Sequence, residues 1–318
     1  MMPPFHHMEL PLLILAAVLL DHLLGEPHRF HPLAGFGRVA RRIEKTFYGP
    51  VDAVHAARRL RGVAAVAVLL APPVLLAAWL QQLAFFGALF STVLLYFTIA
   101  PRSLREHAEC VEVACSAGDL SAARQAVSMM VSRDTRHLDG EAVARATVES
   151  VLENGNDAIF GALFWFMVAG APGALLYRLS NTLDAMWGYR NARYGRFGWA
   201  AARLDDALNF IPARLTALSY ALLGHTRSAL HCWRWQAAAW ASPNAGPVMA
   251  SGAGALRVRL GGAAVYHGEL EQRPSLGCGM AAGAADIARA VQLVRHALFA
   301  WLLVIAAGGL VAAGWQHA

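Results

Sequence analysis

GVAAVAVLLAPPVLLAAWL, from Gly62 to Leu80, followed across Gln81-Gln82 by LAFFGALFSTVLLYFTIA, from Leu83 to Ala100, decides the fold class. Neither run holds a charged side chain, and each approaches the roughly 20 apolar residues that a helix needs to cross the hydrocarbon core of a bilayer. A third such run, Ala297 to Trp315, lies near the end of the sequence. Two runs separated by two residues form a hairpin of spans, so the chain is expected to be an all-α integral membrane protein.

The composition agrees with this reading. Of the 318 residues, 57% are hydrophobic and 15% charged, and the mean hydropathy is +0.41, which is more apolar than an ordinary soluble domain. Leu10 to Leu24 is a shorter run that carries Asp21. No Lys or Arg precedes it and no small-residue cleavage pattern follows, which predicts an uncleaved span. Ile159 to Tyr177 is interrupted by Gly170-Ala171-Pro172-Gly173, and Leu208 to Leu223 contains Pro212 and Arg214. Both are expected to be membrane-embedded or re-entrant, because irregular backbone at membrane depth needs cover from protein or a polar cavity.

Charge then orients the chain. Residues 25–61 hold Arg29, Arg38, Arg41, Arg42, Lys45, Arg58, Arg59 and Arg61, whereas Gln81-Gln82 is uncharged. By the positive-inside rule the arginine-rich parts face the cytoplasm. The expected architecture is one multi-pass helical bundle over residues 1–318 in a bacterial inner membrane. Its spans are 10–24, 62–80, 83–100 and 297–315, and its cytoplasmic segments are 101–158 and 178–296. Within residues 101–158, Leu104, Ala108, Val111 and Cys115 recur at helical spacing, and Asp119 and Asp139 stand as N-caps. Arg257 to Leu260 and Ala263 to Tyr266 flank Gly261-Gly262, which predicts a small β-hairpin turning at the two glycines.

Several chemistries are excluded. Cys110, Cys115, Cys232 and Cys278 have no CxxC spacing and are expected to be reduced, packed thiols. Lys45 is the only lysine among 27 basic residues, and no Gly-Lys-Ser/Thr is present, so a P-loop is excluded. A pI of about 9.5 is explained by arginines at span edges without invoking nucleic acid.

Acidic and amide residues beside arginines carry the chemistry. Glu149, Glu153 and Asp157 stand four apart, which on a helix places them on one face; a solvated face would give the same stripe. Asn181-Thr-Leu-Asp184 and Arg203-Leu-Asp205-Asp206-Ala-Leu-Asn209 add two further clusters. Mg²⁺ is commonly held by one or two carboxylates plus substrate phosphates, and Arg190, Arg193, Arg196, Arg203 and Arg214 are matching phosphate donors. His28 and His31 could be metal ligands, or could cap and pack. Trp165, Trp187, Trp199, Trp233, Trp235 and Trp240 could form an interfacial belt or line a large planar ligand.

These residues also carry a resemblance. Asp21-His-Leu-Leu-Gly-Glu-Pro27 with His31-Pro32, Ser132-Arg133-Asp134-Thr135, Val148-Glu149-Ser150-Val151 with Glu153-Asn154, and Asn181-Thr-Leu-Asp184 come first in order. Gly188-Tyr189-Arg190, Arg203-Leu-Asp205-Asp206, Ile211-Pro212-Ala213-Arg214, Ser242-Pro243-Asn244-Ala245-Gly246 and Val258-Arg259-Leu260-Gly261-Gly262 follow. In this order and spacing the chain resembles the adenosylcobinamide-phosphate synthases of cobalamin biosynthesis over nearly its whole length. One departure is Gly161-Ala162, where a Pro is usual before Leu-Phe-Trp.

The resemblance implies an acid-amine ligase that joins adenosylcobyric acid, a corrinoid, to (R)-1-amino-2-propanol or its O-phosphate, with ATP as co-substrate and Mg²⁺ as cofactor. Carried onto this chain, it implies catalytic roles for Glu149, Glu153 and Asp157. It implies phosphate or substrate binding by Arg133, Asn181, Tyr189, Arg190, Arg203, Arg214, Asn244 and Arg259, and metal binding by Asp184, Asp205 and Asp206. The expected partners are these substrates, membrane lipid and other enzymes of the pathway. The alternative is an intramembrane, Mg²⁺-dependent prenyl- or phospho-alcohol transferase, which also combines Asp-bearing helices with spans; the repeated Asp motif of such enzymes is absent.

Overall fold

Long helices take up the apolar runs in the computed structural model, which describes residues 9–27, 31–49, 55–84, 86–189, 191–266 and 268–316. In chain order they are α1 (Glu9–Leu24), α2 (Pro32–Phe47), α3 (His55–Leu80), α4 (Phe86–Thr98), α5 (Pro101–Ser116), α6 (Leu120–Ser128) and α7 (Gly140–Gly155). After a π-helical turn, Asn156–Phe160, come α8 (Gly161–Trp187), α9 (Tyr194–Phe197), α10 (Trp199–Leu223), α11 (Thr226–Gln236) and α12 (Ala245–Leu256). Strands β1 (Val258–Tyr266), β2 (Glu269–Gly277) and β3 (Met280–Ala281) precede α13 (Ala284–Gln316). The protein is therefore a multi-pass helical membrane protein with one small sheet.

Four helical stretches among the described residues are long and apolar enough to cross a membrane: Ala56–Leu80, Phe86–Ser116, Gly140–Trp187 and Ala284–Trp315. The expected spans 62–80, 83–100 and 297–315 fall on three of them. The fourth contains the interrupted segment 159–177. At 48 residues this stretch exceeds the roughly 20 that a single crossing needs, and it is not one straight rod, since a π-helical turn at Asn156–Phe160 and a break at Gly170 interrupt it. Its polar first part, with Arg145, Glu149, Glu153 and Asp157, extends beyond the apolar part that begins at Ala158. Helix α1 has 16 residues and is about 24 Å long, short of the bilayer core.

The chain divides into two compact units, residues 1–100, 161–209 and 305–318 in one and 101–160 and 210–304 in the other. In the first unit, α3 and α4 pack on α8, and α1 packs on α4. Leu179, Leu183 and Trp187 recur one turn apart on α8 and meet Ala65, Val66, Leu69 and Leu70 of α3 with Phe197 and Ala201. Gly62 is the point of closest approach, since a Cβ there would lie 2.0 Å from the Phe197 carbonyl oxygen. On the opposite face of α3, Leu75 is 68% exposed and Trp79 61%. Large apolar side chains turned outward are stable when the surrounding solvent is lipid.

The interruption in α8 has a defined structure. Gly170 takes φ 68°, ψ −152°, a region that a residue with a Cβ avoids, and the helix resumes at once. Pro172 falls in the first turn of the resumed helix, where its missing N–H costs nothing. The freed Ala171 N–H donates to Gln81 Oε1 at 3.2 Å, and Gln81 is buried. Gln81, which separates two apolar runs in the sequence, turns inward to cap a broken helix. Replacing Gln81 with Leu should leave that N–H unsatisfied and cost about 1–3 kcal/mol, whereas Gln82→Leu, on the exposed side of the turn, should cost little. Thermal unfolding in detergent checks this, and equal midpoints for the two variants would refute the cap.

In the second unit, α5, α6 and α7 pack together, and α12 packs on α11, α7 and the sheet. The two expected caps are present: Asp119 accepts from the Ala122 N–H at 2.9 Å and Asp139 from the Ala142 N–H at 2.8 Å. The expected hairpin exists, but its turn is elsewhere. Gly261 and Gly262 lie inside β1 at φ 81° and 78° and form an irregularity in its pairing with β2, while the chain reverses between Tyr266 and Glu269. Two positive-φ glycines suit a bulge as well as a turn. The strand order is β2-β1-β3, with β1 antiparallel to β2 and parallel to β3.

Candidate active site

The second unit encloses a cavity of about 300 Å³ whose wall includes Arg133, Glu149, Glu153, Asn154, Trp240, Tyr266 and Arg273. Glu149 and Glu153 stand one turn apart on α7, as their spacing in the sequence implied. The structure gives them opposite surroundings.

Glu149 is saturated. Its Oε2 accepts from Arg133 Nη2 and from Arg273 Nη1 at 3.0 Å, and its Oε1 accepts from Arg273 Nη2 at 3.3 Å and from the Gly261 N–H at 2.7 Å. All three side chains are nearly solvent-free, with exposures of 2% for Glu149, 8% for Arg133 and 7% for Arg273. The bulge at Gly261 thus delivers a backbone donor to the carboxylate. Arg273 is fixed further by donating to the Gly262 carbonyl at 3.1 Å and by lying over the Trp240 ring, 5.4 Å from its centre. Burial alone would lower the Arg273 guanidinium, but the Glu149 carboxylate offsets this and holds it above its usual range. Among the described residues no hydrogen bond or ion pair engages Glu153, whose carboxylate faces the cavity. Asn154 is oriented by donating to Ser150.

The third acid of the stripe, Asp157, lies on the π turn and accepts from Asn156 Nδ2 at 2.8 Å. Asn156 in turn accepts from the Thr216 hydroxyl at 3.0 Å. Gly155 is required here, because a Cβ would lie 2.3 Å from the Tyr220 hydroxyl, which donates to the Leu152 carbonyl at 3.1 Å.

Other expected site residues are placed differently. Arg214 donates to Asn244 Oδ1 at 3.0 Å, to the Pro243 carbonyl at 3.2 Å and to the Phe210 carbonyl at 2.7 Å, with its guanidinium 3.6 Å from the Phe210 ring centre. The pair Arg214 and Asn244 therefore holds the Ser242-Pro243-Asn244 turn. Arg259 is exposed on β1. His31 caps α2, accepting from the Leu33 N–H at 3.2 Å, with its other ring nitrogen 3.4 Å from Glu26. His28 and Arg190 lie outside the described residues. The tryptophans do not share one role: Trp187 is buried, Trp235 is exposed, and Trp240 lines the cavity.

The first unit holds the remaining acids. Asp205 is buried and accepts from Asn181 at 3.4 Å and Asn209 at 3.1 Å, and Asn209 accepts from the Tyr177 hydroxyl at 2.8 Å. The Tyr177 ring fills the space beside Gly161, where a Cβ would meet it at 2.1 Å. Asp206 instead faces Arg203 at 3.7 Å, beside Tyr189 on a second cavity. Among the described residues no three His, Cys, Asp or Glu side chains converge as a metal site, so a Mg²⁺ ion on Asp184, Asp205 or Asp206 would need substrate phosphates to complete its shell. The oxygens of Asp205 are occupied by amides.

Arg273 and the Tyr177–Asn209 link were missed as site elements in the sequence, whereas Trp240 is one of the six tryptophans expected in a belt or beside a large planar ligand. Arg273 meets Glu149 across 124 positions, a pairing that no local spacing encodes. The inward-facing Arg among polar neighbours in Glu271-Gln-Arg273-Pro was the only signal.

A family model described as CobD/Cbib protein matches residues 14–294. The "Cobalamin biosynthesis protein CobD" of Chromobacterium violaceum is 58% identical over 301 residues, covering 93% of this chain and 96% of that protein. The protein of the same name from Stutzerimonas stutzeri is 59% identical over 302 residues, covering 95% and 99%, and that from Rhodobacter capsulatus 41% over 322 residues, covering 97% and 99%. No solved structure matches.

Proposed function

Since the chain belongs to the CobD/Cbib family of cobalamin biosynthesis proteins, we propose that it is an acid-amine ligase joining adenosylcobyric acid to (R)-1-amino-2-propanol or its O-phosphate. In this reading ATP is the co-substrate and the cavity lies on the cytoplasmic side of a bacterial inner membrane. The observation that supports it best is the pairing, in one cavity, of an unengaged carboxylate, Glu153, with a Glu149–Arg133–Arg273 cluster in which one carboxylate holds two guanidiniums and leaves a net positive charge.

An amine does not displace hydroxide from a carboxylate, so the propionate carboxylate must first be activated, with ATP, as an acyl phosphate. The protein's tasks are then to orient the two substrates, to shield the activated acid from water and to take a proton from the ammonium. Glu153 is the candidate base, because Glu149 is already engaged by two guanidiniums. Arg133 and Arg273 set a positive potential around the leaving phosphate without moving. A cavity of about 300 Å³ suits the small amine and a propionate arm; the corrin ring would remain at its mouth. One unengaged carboxylate beside two guanidiniums does not fit a resident Mg²⁺ ion in this cavity, so in this reading Mg²⁺ arrives with its nucleotide.

Purified protein given adenosylcobyric acid, either amine and MgATP should form the amide product, detected by mass, together with ADP and phosphate. Absence of product with both amines, alongside turnover of a prenyl diphosphate, would replace this reading with the transferase alternative.

A further inference from the structure

The second cavity, in the first unit, measures about 610 Å³ and is lined by Arg58, Tyr189, Arg196, Trp199, Arg203 and Asp206 among others. Among the described residues of the wall, Arg196 and Arg203 reach the surface while Arg58 lies over the Tyr48 ring, and the carboxylate of Asp206 is 3.7 Å from Arg203. The wall therefore carries an excess of positive charge.

The loop bearing this wall is held from behind. Arg193 donates to buried Glu44 at 3.0 and 2.6 Å, the Tyr194 hydroxyl donates to the same oxygen at 3.2 Å, and Arg193 lies over the Tyr48 ring at 5.0 Å. The charge of Arg193 is thus already paired. Three residues on, Arg196 makes no hydrogen bond or ion pair among the described residues. Gly195 has nothing within 4 Å of the position a Cβ would take, so a ligand can approach the backbone beside Arg196. Arg59 lies over the Trp199 ring at 5.4 Å, which steadies the aromatic wall.

We infer that this cavity binds a phosphate-bearing anion. Planar guanidiniums match phosphate oxygens bidentately, and Tyr189 and Trp199 offer flat faces for whatever carries the phosphate. Arg58 stands one helical turn before Gly62, where the apolar run of α3 begins, so the cavity lies at the level where a helix meets the lipid headgroups. Two sources share the required chemistry: a soluble nucleotide or an anionic phospholipid headgroup. The inference concerns binding alone and is independent of the ligation proposed for the other cavity.

The test uses the full chain in nanodiscs. In discs of phosphatidylcholine, ATP and pyrophosphate are titrated while thermal stability and tryptophan fluorescence are followed, with no corrinoid present. A parallel series raises the phosphatidylglycerol content without either additive. A saturable response to ATP or pyrophosphate assigns the soluble source, and a response to phosphatidylglycerol alone assigns the lipid. In either case the double variant Arg196→Gln, Arg203→Gln, whose two side chains are exposed, should bind at least tenfold more weakly, and Arg227→Gln on exposed α11 surface should bind as the parent does. No response to any of the three probes, or an unchanged response in the double variant, overturns the inference. Loss of amide formation with this binding intact would count against the ligation and not against the site.

Discussion

Replacing Glu149 with Gln is expected to destabilise the second unit by about 3–5 kcal/mol, the cost of breaking a buried ion pair from one side. The variant is nearly isosteric, so the loss is electrostatic. Arg133 and Arg273 are nearly solvent-free, and without the carboxylate two buried cations lose the one group that hydrogen-bonds both, leaving only the more distant Glu153 and Glu271 of the same cavity to offset them. Against a typical total stability of roughly 5–15 kcal/mol, such a loss would show as a large fall in the unfolding midpoint. A double-mutant cycle isolates the cause. Arg273→Met removes one of the stranded charges, so Glu149→Gln with Arg273→Met should cost less than the sum of the single changes by more than about 1 kcal/mol. Additive costs, or a parental midpoint in Glu149→Gln, would show that the cluster is not held by charge.

This outcome separates two residues that the sequence presented alike. Glu149, Glu153 and Asp157 are equivalent as a period of four, and a helix does place them on one face. What distinguishes them arrives from far along the chain: Arg273 and the Gly261 N–H reach Glu149 from β2 and β1, while Asp157 is bound by the neighbouring Asn156. Asp205 and Asp206 show the same limit. Adjacent carboxylates suggested a shared cation, but successive helical residues point about 100° apart, so Asp205 turns inward to two amides and Asp206 outward to Arg203.

Fold class was legible because it rests on bulk solvation. Uncharged runs such as Gly62–Leu80 have one low-energy outcome in lipid, and the Asp119 and Asp139 caps are decided within three residues. The turn of the hairpin was not legible at Gly261-Gly262, because two glycines at positive φ serve a bulge and a turn equally. Gln81 was read by its position between spans, whereas its role follows from the Gly170 break 89 residues later, which leaves the next N–H for it to satisfy.

The second large effect is expected at Glu153. Glu153→Gln keeps the shape of a partly buried side chain that no hydrogen bond or ion pair engages among the described residues, so it should not lower stability, because burying an unpaired charge costs more than burying an amide. Amide formation should nevertheless fall by about 10² or more, which is at least ~2.7 kcal/mol in the barrier. The loss should appear in kcat, because the proton is removed as the amine attacks and not when it binds. A pH series discriminates a base from a residue that only shapes the cavity. Only the unprotonated amine can attack, so without Glu153 the protein must wait for solution to supply it. The variant's rate should then climb about tenfold per pH unit up to the pKa of the amine, while the parent's slope flattens earlier, once Glu153 is ionised. Glu153→Asp, which restores a carboxylate one methylene shorter, should regain part of the rate and the shallower slope. A Glu153→Gln variant that runs near the parental rate, or that loses rate with the parental pH slope, would remove Glu153 as the base.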